Sequence, residues 1–293
     1  MSIWSMGSIN MDHVYRMPRL PAAGETVAAT DYACGLGGKG ANQSIAASFA
    51  GANVFHIGAV GTDGDVARAG LTEAGVDVSH VPTLDAPTGH AIINVDDAGE
   101  NAIVVLGGAN LCQAPDAIRT ALDRAARGDI LMLQNETNAQ VEAATLARDR
   151  GLMVAYSAAP FDPEAVRRIL PLTDLLLVNE GEAAQISTMM KLPPERIPVA
   201  RLLVTKGADG ATLYRQGSAP VEQAAFKVTV KDTTGAGDTF AGFFLAGLDQ
   251  GMSEPQALER AAAASALQVT RHGAAKAIPE VSEVMDLLRQ AGK

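Results

Sequence analysis

The sequence is short of cysteine, of aromatic side chains and of positive charge. Its two cysteines, Cys34 and Cys112, show no ligand spacing such as C-x-x-C. That excludes a disulfide framework and a cysteine-held metal, and it reads as two reduced, buried thiols of a cytoplasmic protein. Lys and Arg number 23 against 33 Asp and Glu, a net charge of -10. Non-specific binding to nucleic acid or to an anionic membrane wants a basic face, so both are excluded. An anionic substrate would have to be held by local glycine amides, a few Lys and Arg, or a metal ion. No apolar run approaches the about 18 residues of a membrane span. Ile3-Trp-Ser-Met6 runs straight into Gly7-Ser-Ile9 with no basic start or cleavage site, so no secretion signal is expected. Repeats and low-complexity tracts are absent.

What is there is a chain of 293 residues, 47% hydrophobic, with 29 glycines and only 4% aromatics. This suits a tightly packed α/β protein with one large core, or a core plus a small second unit. The stretch around which it is organised is Val230-Lys-Asp-Thr-Thr-Gly-Ala-Gly-Asp-Thr-Phe240. The β-branched run Val228–Val230 predicts a strand, Thr234–Gly237 a glycine turn, and the apolar residues after Asp238 a helix. A helix start has unpaired N–H groups and a partial positive charge, and glycines before it let the backbone approach an anion. Asp238 would repel a resident phosphate. It fits if it takes a proton from a hydroxyl attacking phosphorus while the glycine amides stabilise the transferred group. It equally fits a helix N-cap, worth about 1 kcal/mol.

In chain order, residues 2–9 read as a buried strand ending in Asn10-Met-Asp12. This is either a plain turn or a pair of polar groups able to hold vicinal hydroxyls of a sugar. Residues 14–33 read as a small β excursion. Cys34-Gly-Leu-Gly-Gly-Lys-Gly-Ala-Asn-Gln43 leads into a helix expected over 44–49. Gly35-x-Gly37-x-x-Gly40 matches a dinucleotide fingerprint in letters but follows an irregular segment, and Gly38-Lys-Gly40 lacks the Ser or Thr of a Walker A loop. The simpler reading is that glycine amides and Asn42 face a small polar ligand. Residues 88–95 and 102–106 alternate about an Asp96-Asp-Ala-Gly99 turn and predict a hairpin that joins 14–33 in a separate small sheet. From Pro115, helices and strands alternate through 205, which means a parallel sheet with helices on both faces. Polar residues recur after successive strands, at Asn135-Glu136, Ser157, Asn179–Glu182 and Thr205–Gly207, where one rim of the sheet would be lined. A strand at 211–214 and helices over 257–269 and 281–288 complete the chain.

Asp232–Phe240 and Gly37-Gly-Lys-Gly-Ala-Asn42 together resemble, in order and separation, the two signatures of the PfkB carbohydrate kinases, and within them the ribokinase group. Gly7–Asp12, Gly99–Asn101, Gly108–Asn110, Asn179 with Glu182, and Val269–Arg271 with Gly273 match as well, so the likeness covers essentially all of 1–293. It implies a single ribokinase-like domain: a parallel-sheet sandwich with helices on both faces, and a small β lid from about 11–34 and 88–107 that forms a homodimer contact. The implied activity is ATP-dependent phosphorylation of the primary hydroxyl of a small sugar, with D-ribose first. Asp238 is then the base, and Gly235, Ala236 and Gly237 the anion hole. Asn10, Asp12, Gly38, Lys39, Gly40, Asn42 and Glu136 make up the sugar set. Asn179, Thr205, Lys206, Gly207, Ala208, Asp209, Gly210 and Gly237 make up the nucleotide set. Glu182 is linked to Mg2+ through water. A K+ ion falls to Asp232 and to carbonyls of Thr234, Gln268, Arg271 and Gly273. The chain departs from the pattern at Ala277, where Ser usually offers the cation an oxygen, at Ala262 beside the adenine, and at Ser157 in place of Asn. The segment between Ile186 and Arg201 is also short.

Two readings from other classes compete. A nicotinamide-dependent oxidoreductase using Gly35–Gly40 leaves Asp232–Asp238 unexplained. A non-catalytic sugar or nucleotide sensor gains little from a general base. Within the kinase class, deoxyribose, a keto-deoxy sugar acid, adenosine and pseudouridine are the alternatives to ribose. Asp12 and Glu136 favour a neutral polyol.

Overall fold

The computed structural model describes residues 1–292. Two sheets share the work. The larger has nine strands, and its inner strands carry long runs of Leu, Ile and Val because both faces are covered. Successive side chains of a strand point to opposite faces. Ile3, Ile130, Met132, Leu175, Leu177 and Leu203 therefore enter one core, while Trp4, Leu131, Leu133, Leu176, Val178, Leu202 and Val204 enter the other.

The strands are β1 (Ile3–Met6), β2 (Asn10–Met17), β3 (Asp31–Gly37), β4 (Val54–Ile57), β5 (Asp77–His80), β6 (Gly89–Asp96), β7 (Asn101–Leu106), β8 (Ile130–Leu133), β9 (Met153–Ser157), β10 (Leu175–Asn179), β11 (Arg201–Thr205), β12 (Ala211–Arg215) and β13 (Val221–Gln223). The helices are α1 (Lys39–Phe49), α2 (Asp65–Glu73), α3 (Pro115–Leu122), α4 (Gln140–Asp149), α5 (Pro163–Ile169), α6 (Glu180–Met190), α7 (Ala236–Asp249), α8 (Glu254–Gln268) and α9 (Val281–Ala291). The large sheet runs β13-β12-β11-β10-β9-β8-β1-β4-β5. It is parallel except where β12 pairs antiparallel with β11 and β13. Residues of α1, α2, α7, α8 and α9 cover one face and those of α3 to α6 the other. The small sheet runs β3-β2-β6-β7, with β2 and β6 parallel and the two outer pairs antiparallel.

The α/β reading and the separate small sheet stand, with four corrections. Asn10–Asp12 is no turn: it opens β2, because the chain crosses from β1 into the small sheet within Gly7–Ile9. Helix α1 begins at Lys39 rather than 44, with Gly38 at φ 89° as its cap. Residues 228–230 form no strand. They have no neighbouring strand to pair with, Val230 is exposed, and the chain is anchored instead by the amides of Lys231 and Asp232 donating to the Val269 carbonyl. Cys34 and Cys112 are exposed rather than buried, Cys34 because it lies on an edge strand of the small sheet. No helix of the described residues is long and apolar enough to cross a membrane.

Candidate active site

The site lies at the carboxyl ends of β9, β10 and β11, where the N-termini of α1 and α7 meet. These two helices touch closely. A Cβ at Gly242 would come within 2.5 Å of the Ala46 Cβ and 2.7 Å of the Gln43 carbonyl, so only glycine allows the approach. The contact sets the α1 amides directly against Asp238. Asn42 Nδ2 donates to Asp238 Oδ2 at 3.1 Å and Gln43 Nε2 to Oδ1 at 2.9 Å. Gln43 is steered in turn by Gln134, whose Nε2 donates to Gln43 Oε1 at 2.7 Å. The carboxylate makes no capping bond to its own helix, which removes the N-cap reading.

Gly235 caps α7 at φ 75°, a left-handed conformation that glycine adopts without strain. The Ala236 amide donates to the Thr233 carbonyl at 3.2 Å. Gly235 and Gly237, not Ala236, line the cavity beside Asp238. That cavity of about 240 Å³ brings together Lys39, Asn179, Glu182, Thr205, Gly235, Gly237 and Asp238, with Ser157, Leu177, Leu203 and Phe240 in its walls. The turn Lys206–Gly210 does not line it. Gly210 is there for packing, since a Cβ would lie 2.0 Å from the Gln223 carbonyl. Asn179 spends its side chain on a capping box for α6, accepting from the Glu182 amide at 2.8 Å while Glu182 accepts from the Asn179 amide at 2.9 Å.

The glycine stretch before α1 is not an anion cradle. The Lys39 amide donates to Glu136 at 3.0 Å, the Gly40 amide to Ser8 Oγ at 3.2 Å and the Ala41 amide to the Ser8 carbonyl at 2.8 Å. A carboxylate already occupies the helix start and would repel phosphate, so the dinucleotide reading fails. Gly40 is forced by contact, because a Cβ would lie 2.4 Å from the Gly7 carbonyl carbon and the Ser8 nitrogen. Gly37 makes room for Asp12, whose carboxylate would lie 2.0 Å from a Cβ there. Asn10 is buried, and its Oδ1 accepts from Asn110 Nδ2 at 2.8 Å.

The profile of the pfkB family carbohydrate kinases matches residues 2–281. The chain belongs to this family. Among its relatives, the ribokinase of Bacillus subtilis is 35% identical over 298 residues, covering 98% of this chain and 99% of that one. The ribokinase of Haemophilus influenzae is 34% identical over 302 residues, covering 98% of each. The structure of Arabidopsis thaliana ribokinase complexed with ribose and ATP superposes with a TM-score of 0.85 at 29% identity, covering 98% of both chains.

The electrostatics of this pfkB kinase follow from burial. Burial pushes the Asp238 carboxyl up, against the pull of Lys39, Gln43 and Asn42. Burial likewise raises Asp12 to about 6, with Glu136 adding to the shift. Glu182 is raised by burial despite its bond to the Asn179 amide. Burial alone would lower the Lys39 ammonium, but the carboxylates of Asp238, Glu136 and Glu182 outweigh it and hold it above its ordinary value. For Asp232 burial is outweighed by hydrogen bonds from Thr234 and Gly273, which hold its carboxyl low.

Reasoning from residue types missed Ser8, Gln43, Asn110 and Gln134. Each acts through another side chain or an amide, and a polar residue inside an apolar strand or helix was the only available sign. Among the described residues no three His, Cys, Asp or Glu side chains cluster as a metal cage. This is compatible with a divalent ion held through waters and substrate phosphates rather than by a protein cage, and Glu182 and Asp238 are the carboxylates that line the cavity.

Proposed function

We propose that this pfkB kinase transfers the γ-phosphoryl group of ATP to the primary hydroxyl of D-ribose, giving ribose 5-phosphate. The observation that carries the reading is Asp238: a buried carboxylate held on both oxygens by amides, beside the cavity-lining glycines of a helix start. The full-length relationship to ribokinases selects ribose among the family's substrates.

Asp238 accepts the proton of the hydroxyl. Its amide donors use one lone pair on each oxygen and leave others free. Burial strengthens it as a base, and Lys39 offsets the charge. The amides of Gly235 and Gly237 point at the oxygens of the group in flight, where preorganised donors are worth most. Asn10 and Asp12 hold the sugar's other hydroxyls. Asn42, one of the expected sugar contacts, also orients the base through its Nδ2. Leu177, Leu203 and Thr205 flank the nucleotide. Mg2+, when bound with Glu182 and waters, supplies neutralising charge to the phosphates. K+ takes no part in this reading, because the Thr234 and Gly273 carbonyls already accept from Gln268 Nε2.

We read the chain as one kinase unit whose small sheet, about 11–34 and 88–107, is the lid over the sugar. Its edge strand β7 exposes Ile103, Val104, Val105 and Leu106. An uncovered apolar edge of this kind invites pairing, and a second copy of the chain is the proposed partner.

The test is ADP release from Mg-ATP across ribose, deoxyribose, fructose, adenosine, pseudouridine and 2-keto-3-deoxygluconate. Preferred turnover on ribose supports the reading, and preferred turnover on another compound moves the substrate. No turnover on any, with ribose still bound by calorimetry, replaces the kinase with a sensor.

A further inference from the structure

Two of the carbonyls that the family resemblance hands to a monovalent cation, those of Thr234 and Gly273, are already engaged by the side chain of Gln268. This side chain is fully buried. Its Nε2 shares its two hydrogens among three carbonyls, those of Thr234 at 3.0 Å, Gly273 at 3.2 Å and Ala274 at 3.0 Å. Three carbonyl oxygens around one end of an amide require the nitrogen there, since an oxygen in that place would only repel them. Gln268 Oε1 is buried with no donor among the described residues, so the nitrogen end is what holds the side chain in position.

Two further members of the expected shell, Asp232 and the Gln268 carbonyl, also accept hydrogen bonds within the chain. Asp232 Oδ1 accepts from the Thr234 amide at 2.9 Å and its hydroxyl at 2.6 Å, and Oδ2 accepts from the Gly273 amide at 2.9 Å. The Gln268 carbonyl accepts from the Arg271 amide at 3.1 Å. Ala277 has no side-chain oxygen to offer. The residues present therefore do not fit a monovalent cation.

We propose that the Gln268 side-chain amide stands in for the cation, so that the anion hole of this kinase is ordered without potassium. The link to the hole is one peptide plane. In a trans peptide the Thr234 carbonyl and the Gly235 N–H point in opposite directions. Holding the carbonyl on Gln268 turns the Gly235 N–H away from Gln268, and Gly235 lines the cavity. Gln268 Nε2 also lies directly beneath, 3.3 Å from where a Gly235 Cβ would be. A bound cation would pull the same carbonyl by its charge. The amide does so through hydrogen bonds built into α8, and Gln268 is thus a positioning residue. The inference rests on the reading of Gly235 as an anion-hole donor.

The experiment compares potassium with tetramethylammonium at constant ionic strength, by two readouts. The first is the rate of sugar phosphorylation. The second is the melting temperature without substrates, which rises with the concentration of any ion bound only by the folded chain. For the unaltered protein neither responds to potassium beyond the tetramethylammonium control. Gln268→Ala frees the three carbonyls. Its rate in tetramethylammonium falls by up to about 10²-fold, the loss expected when one donor of such a hole is misplaced. Potassium restores rate and melting temperature, most fully when Ala277→Ser adds an oxygen.

A potassium-dependent rate or melting temperature in the unaltered protein overturns the proposal, as does a Gln268→Ala rate that does not change. If Gln268→Ala does not fold, Ala277→Ser alone decides. With Gln268 in place it stays insensitive to potassium, and acquired sensitivity overturns the inference. Failure of every sugar to turn over sinks the proposed function instead, and the melting experiment still reads the cation site.

Discussion

Asp12→Asn should make the unliganded protein more stable at neutral pH while weakening its hold on the sugar. The folded chain raises this carboxyl from 3.8 to about 6, chiefly through burial and next through Glu136. Among the described residues no group donates a hydrogen bond to it, so the substitution breaks no internal contact. Raised from 3.8 to about 6, at about 1.36 kcal/mol per tenfold change in acidity, the ionised carboxylate costs the folded state about 3 kcal/mol. Because part of Asp12 is open to solvent, about 2 kcal/mol is the better expectation. The folded-state value is raised, so the group's contribution is fully favourable below pH 3.8 and is lost as pH rises through about 6. The amide introduced by the substitution carries no charge in either state. The difference in stability between Asp12→Asn and the unaltered protein should therefore be largest at pH 8 and decline below pH 6. At about 2 °C per kcal/mol for a chain of this size, the melting temperature at pH 8 should rise by roughly 4 °C.

The difference between the two proteins must be measured, because His56 acts in the opposite sense. Full burial lowers its imidazole from 6.5 to about 4, so its contribution is lost as pH falls through that window in both proteins alike. In kinetics Asp12→Asn should raise the Michaelis constant for ribose and leave turnover at saturation largely intact. An unchanged or lower melting temperature at pH 8 refutes the electrostatic reasoning. An unchanged Michaelis constant removes Asp12 from the sugar site.

Asp238→Asn should cut turnover by about 10²–10⁴ while calorimetry still detects ribose binding, and near-normal turnover would sink the base assignment. Gly40→Ala drives a Cβ to 2.4 Å from the Ser8 nitrogen, where main chain must move, and should cost about 1–3 kcal/mol in denaturant unfolding. No loss there would mean that the β1–α1 contact is looser than described. Val104→Asp puts a charge in the exposed edge of β7 and should shift sedimentation toward a monomer. An unaltered sedimentation coefficient would place the contact elsewhere.

The order of helices and strands from Pro115 was legible because each strand is a short apolar run bounded by polar residues, and each helix has its own apolar stripe. Asp232–Asp238 was legible because a carboxylate among glycines has few structural uses. Val228–Val230 misled for a physical reason: β-branched residues favour extended backbone whether or not a neighbouring strand exists to pair with. Asn10–Asp12 misled because turn-favouring residues also tolerate extended backbone when strands pair with them on both sides, as β3 and β6 do here. Gln43 and Gln268 were out of reach because their roles come from contacts made between distant parts of the chain. Gln268 is expected to offer its backbone carbonyl, whereas contacts only the fold creates put its side-chain nitrogen against the carbonyls of Thr234, Gly273 and Ala274.

The seam at Gly242 bears on how such a kinase could change its substrate. Because α1 and α7 meet with no room for one methyl group, Asn42, Gln43 and Asp238 are held as one piece, and drift in either helix would disturb the carboxylate proposed as the base. Asn10 and Asp12 sit on the other sheet, across a short crossing from β1. On the proposed reading of Asn10 and Asp12 as sugar contacts, substitutions there would alter which hydroxyls are recognised without touching the seam. The small sheet could thus be varied for a new substrate while the α1–α7 seam is inherited unaltered.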